Sequence, residues 1–415
     1  MRFLVFTQYF PPEVGASQAR LSAFVRELKS LGHEVEVITG FPNHPTGRIF
    51  PEYRGKFYVR EEWEGIPVHR VWLYPSTGAG LKRMLNYLSF TLTSLWGFLK
   101  AQRPDYIFVE SPPLFLSVPA WLVSRFWGVP FIFNVADLWP DSVKELGLMS
   151  NRFILRIAEW LELWTYRRAA YVNAVTEGIK TSLIDNKSVP RSKILFLPNG
   201  ADVTLYDKRC VGNDQLLARF GLPNGAKVVL YAGTHGFAHG LETAIKAAKI
   251  LKDKAPEVRF MFVGGGSEKD KIISFANEIG CSNVLFKDPM PQNELVDLYC
   301  LAHVGLVMQR NLPFFEGHRP AKTFTYMAAS KPVIFSGLGE GARLVEEARA
   351  GLVVPPEDPE ALANAVKTLV ENPQLAEELG RNGRRYVEEH LSWSALVQDW
   401  LEQLEGRQVQ RNSTF

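Results

Sequence analysis

Three glycine-bearing turns stand where short apolar runs give way to helical patterns, and they hold many of the residues able to do chemistry. The richest is Gly233-Thr234-His235-Gly236-Phe237-Ala238-His239-Gly240, which closes the run KVVLYAG (227 to 233). Glycine lets a ligand approach the backbone, a helix N-terminus carries roughly half a positive charge, and imidazoles donate hydrogen bonds, so the turn suits a phosphate. Taken singly, His235 and His239 also read as solvated loop residues. A second turn, in QYFPPEVGASQARLSAFVREL, puts Gly15 just before a helix starting near Ser17. That turn serves equally as a tight strand-to-helix connection with no ligand. The third, Val263-Gly264-Gly265-Gly266-Ser267-Glu268, offers Gly265 to an anion or simply lets the next helix pack closely. Glu340-Gly341-Ala342 opens a further helix whose N–H groups can receive a sugar or a phosphate. None of these turns spells GxGxxG, which argues against a nicotinamide dehydrogenase. No DxD-like acid pair stands in a convincing place, so no metal and no other cofactor is expected.

Such turns need strands to carry them. Runs rich in Val, Ile and Phe recur at 3 to 7, 34 to 39, 67 to 74, 105 to 110, 130 to 135, 171 to 175 and 193 to 198. A second series lies at 227 to 233, 258 to 265, 283 to 288, 303 to 308, 332 to 337 and 351 to 355. Amphipathic segments such as LETAIKAAKILKDKAP (241 to 256) separate them, and this alternation predicts α/β architecture with parallel sheets covered on both faces. At 415 residues the chain exceeds the roughly 250 to 300 at which single cores divide. Two Rossmann-like, doubly wound domains facing each other across a cleft are expected, at 1–205 and 226–385. A connection lies between them, and a last helix, 386–406, packs back on the first domain.

Lys and Arg total 47 against 44 acids, a formal charge of +3, too small for a nucleic-acid binder that works through phosphate contacts. Cys210, Cys281 and Cys300 are scattered with no CxxC pair, which points to a reducing compartment and away from a zinc site. The N-terminal run is short and ends at Gln8 and Pro11-Pro12, reading as a strand rather than a signal peptide.

The order of motifs resembles the family-4 glycosyltransferases of the GT-B fold, in particular the branch that builds bacterial O-antigen, capsule and other lipid-linked glycans. The resemblance rests on YFPPEVGASQAR, DLWPDS (137 to 142), PNGAD (198 to 202), YAGTHGFAHGLETAIKAA (231 to 248), FVGGGSE (262 to 268), RPAKTFTYMAASKPVI (319 to 334) and GEGARLVEEARAGLVVPPEDPEAL (339 to 362). It covers nearly the whole chain. It implies a nucleotide-sugar donor, usually a UDP-sugar, bound by the second domain, and transfer with retention to an acceptor presented by the first. By the same resemblance Lys322 stands near the donor phosphates, assisted by Arg310 and Arg319, although a surface lysine at a helix start reads the same way. Glu316 would meet the sugar hydroxyls. Thr325 occupies the position where relatives carry the ribose-gripping glutamate, and a hydroxyl cannot accept as a carboxylate pair does. Thr234 and His239 stand where relatives place an arginine and a lysine. Asp137, following the run PFIFNV, would bind the acceptor hydroxyl or remove its proton, unless it is only a helix N-cap; Asp141 is the weaker candidate. In retaining enzymes of this fold a donor phosphate oxygen is held to take that proton.

The acceptor side is aromatic and basic. Residues 84–99 carry no charge but are too few for a membrane span, and they lie among Lys82, Arg83, Lys100 and Arg103. Residues 151–170 place Phe153, Ile157, Trp160 and Trp164 at helical spacing among Arg152, Arg156, Arg167 and Arg168. Such helices can lie in a membrane interface or simply pack on the sheet. With the resemblance they imply a saccharide or polyprenyl-diphosphate-linked acceptor, and a cytoplasmic enzyme at the cytoplasmic face of the inner membrane. The basic residues Arg48, Arg54, Lys56 and Arg60 are available to an acceptor phosphate. The competing readings are a UDP-sugar 2-epimerase and a non-catalytic bilobed binding protein.

Overall fold

The computed structural model describes the chain except residues 14, 45, 77–79, 146–150, 207–212, 291 and 413–415. It forms two compact units, Met1–Asn199 with Trp393–Phe415, and Gly200–Ser392. The first contains β1 (Arg2–Phe6), α1 (Ala16–Ser30), β2 (Glu34–Gly40), β3 (Tyr58–Trp63), β4 (Ile66–Val71), α2 (Leu81–Lys100), β5 (Tyr106–Ser111), α3 (Ser117–Trp127), β6 (Phe131–Val135), α4 (Asp141–Glu145), α5 (Arg152–Arg168), β7 (Tyr171–Ala174), α6 (Glu177–Asp185) and β8 (Ile194–Phe196). The second contains α7 (Asn213–Arg219), β9 (Lys227–Ala232), α8 (Leu241–Leu251), β10 (Val258–Val263), α9 (Lys269–Glu278), β11 (Val284–Lys287), α10 (Gln292–Leu301), β12 (Ala302–Met308), α11 (Ala321–Ala328), β13 (Val333–Ser336), α12 (Glu340–Glu347), β14 (Gly351–Val354), α13 (Pro359–Glu371) and α14 (Pro373–His390). The last helix, α15 (Trp393–Asn412), belongs to the first unit.

The first unit's sheet runs β3-β4-β2-β1-β5-β6-β7-β8, parallel except for the β3–β4 pair. β1, β5 and β6 are buried along nearly their whole length because helices cover both faces. One face carries α2, α3, α5 and α6, and the other α1 and α15. Trp400 anchors α15, fully buried with its ring 5.3 to 5.9 Å from those of Phe3, Phe24 and Phe108. β3 is an edge strand that alternates exposed and half-buried residues, so a search for apolar runs passes over it.

The second sheet runs β11-β10-β9-β12-β13-β14, each strand parallel to its neighbours. α8, α9 and α13 cover one face, while α7, α10, α11, α12 and α14 cover the other. In each sheet the order reverses beside the first strand, between β1 and β5 and between β9 and β12. Open α/β sheets bind ligands outside the carboxyl ends of strands at such a reversal.

Three expectations need correction. The connection expected between 205 and 226 is part of the second unit, since Leu217, Phe220 and Leu222 enter its core. The helix expected at 386–406 is two helices, because Leu391 leaves the helical conformation and its carbonyl accepts the Ala201 N–H at 3.0 Å. Residues up to His390 therefore complete α14, and α15 starts afresh at Trp393. Cys281 is free and buried, whereas Cys300 is disulfide-bonded, so scattered spacing did not exclude a bridge. Cys210 lies outside the described residues.

Candidate active site

In the second unit the chemistry gathers at the carboxyl ends of β9, β10, β12 and β13. The loop after β9 locks onto the loop after β10: Gly233 N donates to Val263 O, His235 N to Gly265 O and Glu268 N to His235 O, each at 2.9 Å. This interlock requires glycine. A β-carbon on Gly264 would stand 1.9 Å from Gly233 O, and one on Gly266 2.4 Å from His235 O. The glycines of the third turn thus give two loops their close approach, and Gly265 has only the ring of Pro289 beside it, at 3.4 Å from a notional β-carbon.

Two tyrosines form the floor. Tyr231, fully buried in β9, donates to Thr234 O at 2.7 Å and fixes the turn. Tyr326 of α11 inserts where β9 and β12 cease regular pairing, accepting the Ala232 N–H at 3.0 Å and donating to Leu230 O at 2.7 Å. Gly305 makes room for its ring, since a β-carbon there would lie 2.2 Å from it.

Lys322 arrives in the first turn of α11, and its Nζ lies 3.7 Å from the centroid of the Tyr231 ring. A β-carbon on Gly233 would stand 2.7 Å from that Nζ. The ammonium is shielded from water and has no hydrogen-bond partner among the described residues, and burial lowers it from 10.5 to about 7. Both ring nitrogens of His235, Gln309 Oε1 and Thr323 Oγ1 are likewise buried without partners. Burial, with Lys269 and Lys322 nearby, lowers His235 to about 4. His239 Nδ1 faces Met308 O at 3.3 Å, and burial, helped by Lys322, lowers it to about 3. Burial also lowers His318 to about 4. His239, standing where relatives place a lysine, does not replace its charge: near neutral pH it and His235 are neutral imidazoles, and Lys322, lowered to about 7, is the group beside them that takes up a proton in that range.

The other expected donor residues are placed less uniformly. Arg310 is committed elsewhere: it donates to Phe237 O at 2.7 Å, pairs with Glu357 at 2.8 Å and with Glu242, and stacks on Phe237. It braces the turn rather than offering a free charge to phosphate. Arg319 pairs with Glu340 at 2.7 Å, which neutralises that acid at the start of α12. Gly341 and Ala342 follow in the first turn of α12, both buried. Exposed Glu316 pairs with Arg343 at 2.9 Å, and its backbone packs where Gly339 begins α12. The Thr325 hydroxyl donates to Ala321 O at 3.3 Å within α11 and bonds with the Tyr206 hydroxyl, so it is already occupied. Thr234 is exposed, and Gly236 leads into the short turn Phe237–His239.

In the first unit, Gly15 precedes α1 with extended backbone, and a β-carbon there would meet only the flexible end of Gln18. Steric demand for glycine is therefore weak in this conformation. Asp137 lies just past β6, half-buried, accepting from Ser142 Oγ at 3.1 Å. Asp141 is held by Lys187 at 2.7 Å and has a structural partner of its own. Arg83 is spent on Tyr87, Ser76 O and Tyr9.

Two families match the chain in tandem: the glycosyl transferase 4-like domain over residues 15–200, and glycosyl transferases group 1 over residues 213–386. The chain belongs to the group 1 glycosyltransferases. Among its relatives, the putative colanic acid biosynthesis glycosyl transferase WcaI of Escherichia coli K12 is 27% identical over 317 residues, covering 75% of this chain and 77% of that one. Sucrose-phosphate synthase from Thermosynechococcus elongatus superposes with a TM-score of 0.74 at 19% identity, over 100% of this chain and 99% of that one. HepE of Anabaena, in complex with UDP-glucose, gives 0.72 at 18% identity, over 98% and 100%. These structures share the GT-B fold with the present glycosyltransferase.

Sequence reading of this glycosyltransferase missed several groups at its strand ends. Tyr231 and Tyr326 sit inside apolar stretches, and nothing in their spacing marks a hydroxyl that ties down a turn. Buried Glu13, from the PPEVG segment, accepts the N–H groups of Asn43 and His44 at 2.8 Å each, and burial raises it from 4.5 to about 7. A buried polar chain also crosses the first sheet. Arg20 pairs with Glu110, which accepts from Asn134 at 2.6 Å; Asn134 accepts from Asn173 at 2.6 Å, and Asn173 from Trp400 Nε1 at 3.0 Å. The signal available for it was an asparagine inside each of two apolar strands, FNV and VNA.

Proposed function

We propose that this glycosyltransferase moves a sugar from a UDP-sugar to a hydroxyl of a saccharide or lipid-linked saccharide, with retention, in bacterial surface-glycan biosynthesis. The observation carrying the reading is the cluster of buried polar atoms without partners beside Lys322, at the reversal of the second sheet. Unpaired buried polar atoms cost free energy, and a diphosphate supplies the acceptors that Lys322 Nζ and an imidazole N–H lack. HepE, whose structure holds UDP-glucose, and WcaI, named for colanic acid biosynthesis, favour the same donor and product class.

When the glycosidic bond breaks, negative charge develops on the departing diphosphate. A preorganised donor aimed at such charge contributes about 3 to 4 kcal/mol to catalysis. Lys322 supplies the charge, while His235, His239 and the backbone of Gly233, Thr234, Gly236 and Gly265 line the phosphate path. The start of α12, with Glu340, Gly341 and Ala342, and the neighbouring Glu316 attend the sugar. Thr325 gives up its helix bond to reach the ribose. Gly15 and Asp137 serve the acceptor side, Asp137 binding the hydroxyl while a donor phosphate oxygen takes its proton. The leaving charge is met by protein cations and N–H groups, so the reaction requires no metal or other cofactor.

The test is incubation with a panel of UDP-sugars and saccharide or polyprenyl-diphosphate-linked acceptors. UDP release should accompany transfer, and the product should keep the donor's anomeric configuration by proton NMR. Product of opposite configuration would refute retention. Absence of any UDP-induced rise in Tm would refute the donor assignment.

A further inference from the structure

α2 presents an outer face opposite to what a water-facing helix carries. Its exposed stripe is leucine and tryptophan, with Lys82 and Lys100 at the two ends. Leu81, Leu92 and Leu99 are 76%, 70% and 75% exposed. The stripe continues across the same helical layer, through Phe126 of α3 at 86%, and Phe153 and Trp160 of α5 at 72% and 63%. The three helices are neighbours: Phe98 meets Trp127 at 6.0 Å between α2 and α3, and Trp121 meets Trp164 at 5.2 Å between α3 and α5. An apolar area of this extent marks an interaction site rather than scattered surface residues.

Charge selects the occupant. α2 and α3 contain no acidic residue, while Lys82, Lys100, Arg125, Arg152 and Arg156 are exposed among the apolar groups. On α5, Glu162 is buried and held by Lys187 at 2.8 Å, and Glu159 lies 3.9 Å from Lys144. A second copy seated on this face would oppose cations with cations. An anionic bilayer complements both the cations and the apolar stripe. Immersion is limited by the opposite side of α2. Asn86 is fully buried there, accepting from Gln8 at 2.6 Å and donating to Tyr74 O at 2.7 Å. Those bonds pin the helix to its sheet, and no helix among the described residues is long and apolar enough to cross a membrane.

We infer that α2, α3 and α5 form a docking face that lies flat in the headgroup region of an anionic bilayer, with leucines and aromatics entering the acyl boundary. The docking is independent of the donor reading, because it involves none of the second unit's residues. Full-length protein is to be sedimented with vesicles of phosphatidylglycerol and phosphatidylethanolamine, and with vesicles of phosphatidylcholine alone, at low and high salt. Wild type should pellet with the anionic vesicles and be released by salt. The triple variant Leu92→Glu, Leu99→Glu, Phe126→Glu should lose at least about tenfold in partitioning, and the double variant Lys82→Ser, Lys100→Ser should bind less tightly. Circular dichroism melts and the UDP-induced Tm shift should stay at wild-type values in both variants. Three results would overturn the inference: equal partitioning of wild type and triple variant, equal binding to both vesicle types, or a lipid-free dimer that the triple variant converts to monomer.

Discussion

Lys322→Met is expected to stabilise the unliganded protein while weakening its hold on the donor. Burial lowers the ammonium from 10.5 to about 7, a difference that corresponds to roughly 5 kcal/mol against the charged form. The Tyr231 ring, 3.7 Å away, returns about 2 kcal/mol through cation–π attraction at a desolvated site. About 3 kcal/mol of destabilisation is left below pH 7. The folded pKa lies below the unfolded one, so between pH 7 and 10.5 the unfolded chain binds more protons and wild-type stability rises with pH. Methionine keeps an apolar stem and a sulfur beside the ring without the charge. The variant should therefore gain about 3 kcal/mol near pH 6.5, or roughly 6 to 12 °C in Tm, and under about 1 kcal/mol near pH 10. Losing a charge-assisted contact costs about 1.5 to 3 kcal/mol, so UDP affinity should fall roughly 10- to 150-fold. Scanning fluorimetry at both pH values, with and without UDP, reads both effects. Calorimetry in buffers of different ionisation enthalpy should show wild type taking up a proton with UDP above pH 7, and the variant taking up none. A variant that melts below wild type near pH 6.5, or that binds UDP as tightly, would refute the reasoning.

Other outcomes follow from the same geometry. Trp400→Ala empties the space among Phe3, Phe24 and Phe108 and unpairs Asn173 Oδ1; it should cost about 3 to 5 kcal/mol, read by urea unfolding, and a loss under about 1 kcal/mol would contradict this packing. Arg310→Ala releases Phe237 O, Glu242 and Glu357, so the KM for donor should rise more than kcat falls; the reverse split would return Arg310 to the transition state. Asp137→Asn should abolish transfer with UDP affinity kept, and wild-type transfer rates would remove Asp137 from the acceptor site. His235, His303 and His318 are lowered to about 4 and His239 to about 3 by burial. The unfolded chain therefore binds more protons between about pH 4 and 6.5, and stability should fall as pH drops through that window. Glu13, raised to about 7, opposes this as one group against four. A flat Tm between pH 7 and 5 would contradict neutral buried imidazoles.

Periodicity and turn chemistry are local properties, and what depends on them was readable from the chain. The apolar runs that became β1, β5, β6 and β9 to β14, and the placement of His235, Gly265 and Glu340 just past strands, needed only neighbouring residues. Edge strand β3 and the break at Leu391 escaped because an alternating strand and a bent helix end carry weak local signals. The state of the side chains depended on partners far away in sequence. Arg20 meets Glu110 90 positions on, and Arg310 meets Glu242 68 positions back, so no spacing rule told a brace from a free cation. Lys322 could be placed at a helix start, but its unpaired ammonium exists only because Tyr231 and the Gly233 turn close over it. The same holds for α2: its uncharged run fitted a membrane interface and a helix packed on the sheet equally, and packing turned Phe90, Gly97 and Phe98 inward and Leu81, Leu92 and Leu99 outward. Composition and period determined that this chain makes two doubly wound sheets bearing glycine-rich turns at their strand ends. Which groups stay charged, paired or exposed was decided by burial, because desolvation acts on three-dimensional neighbours rather than on sequence order.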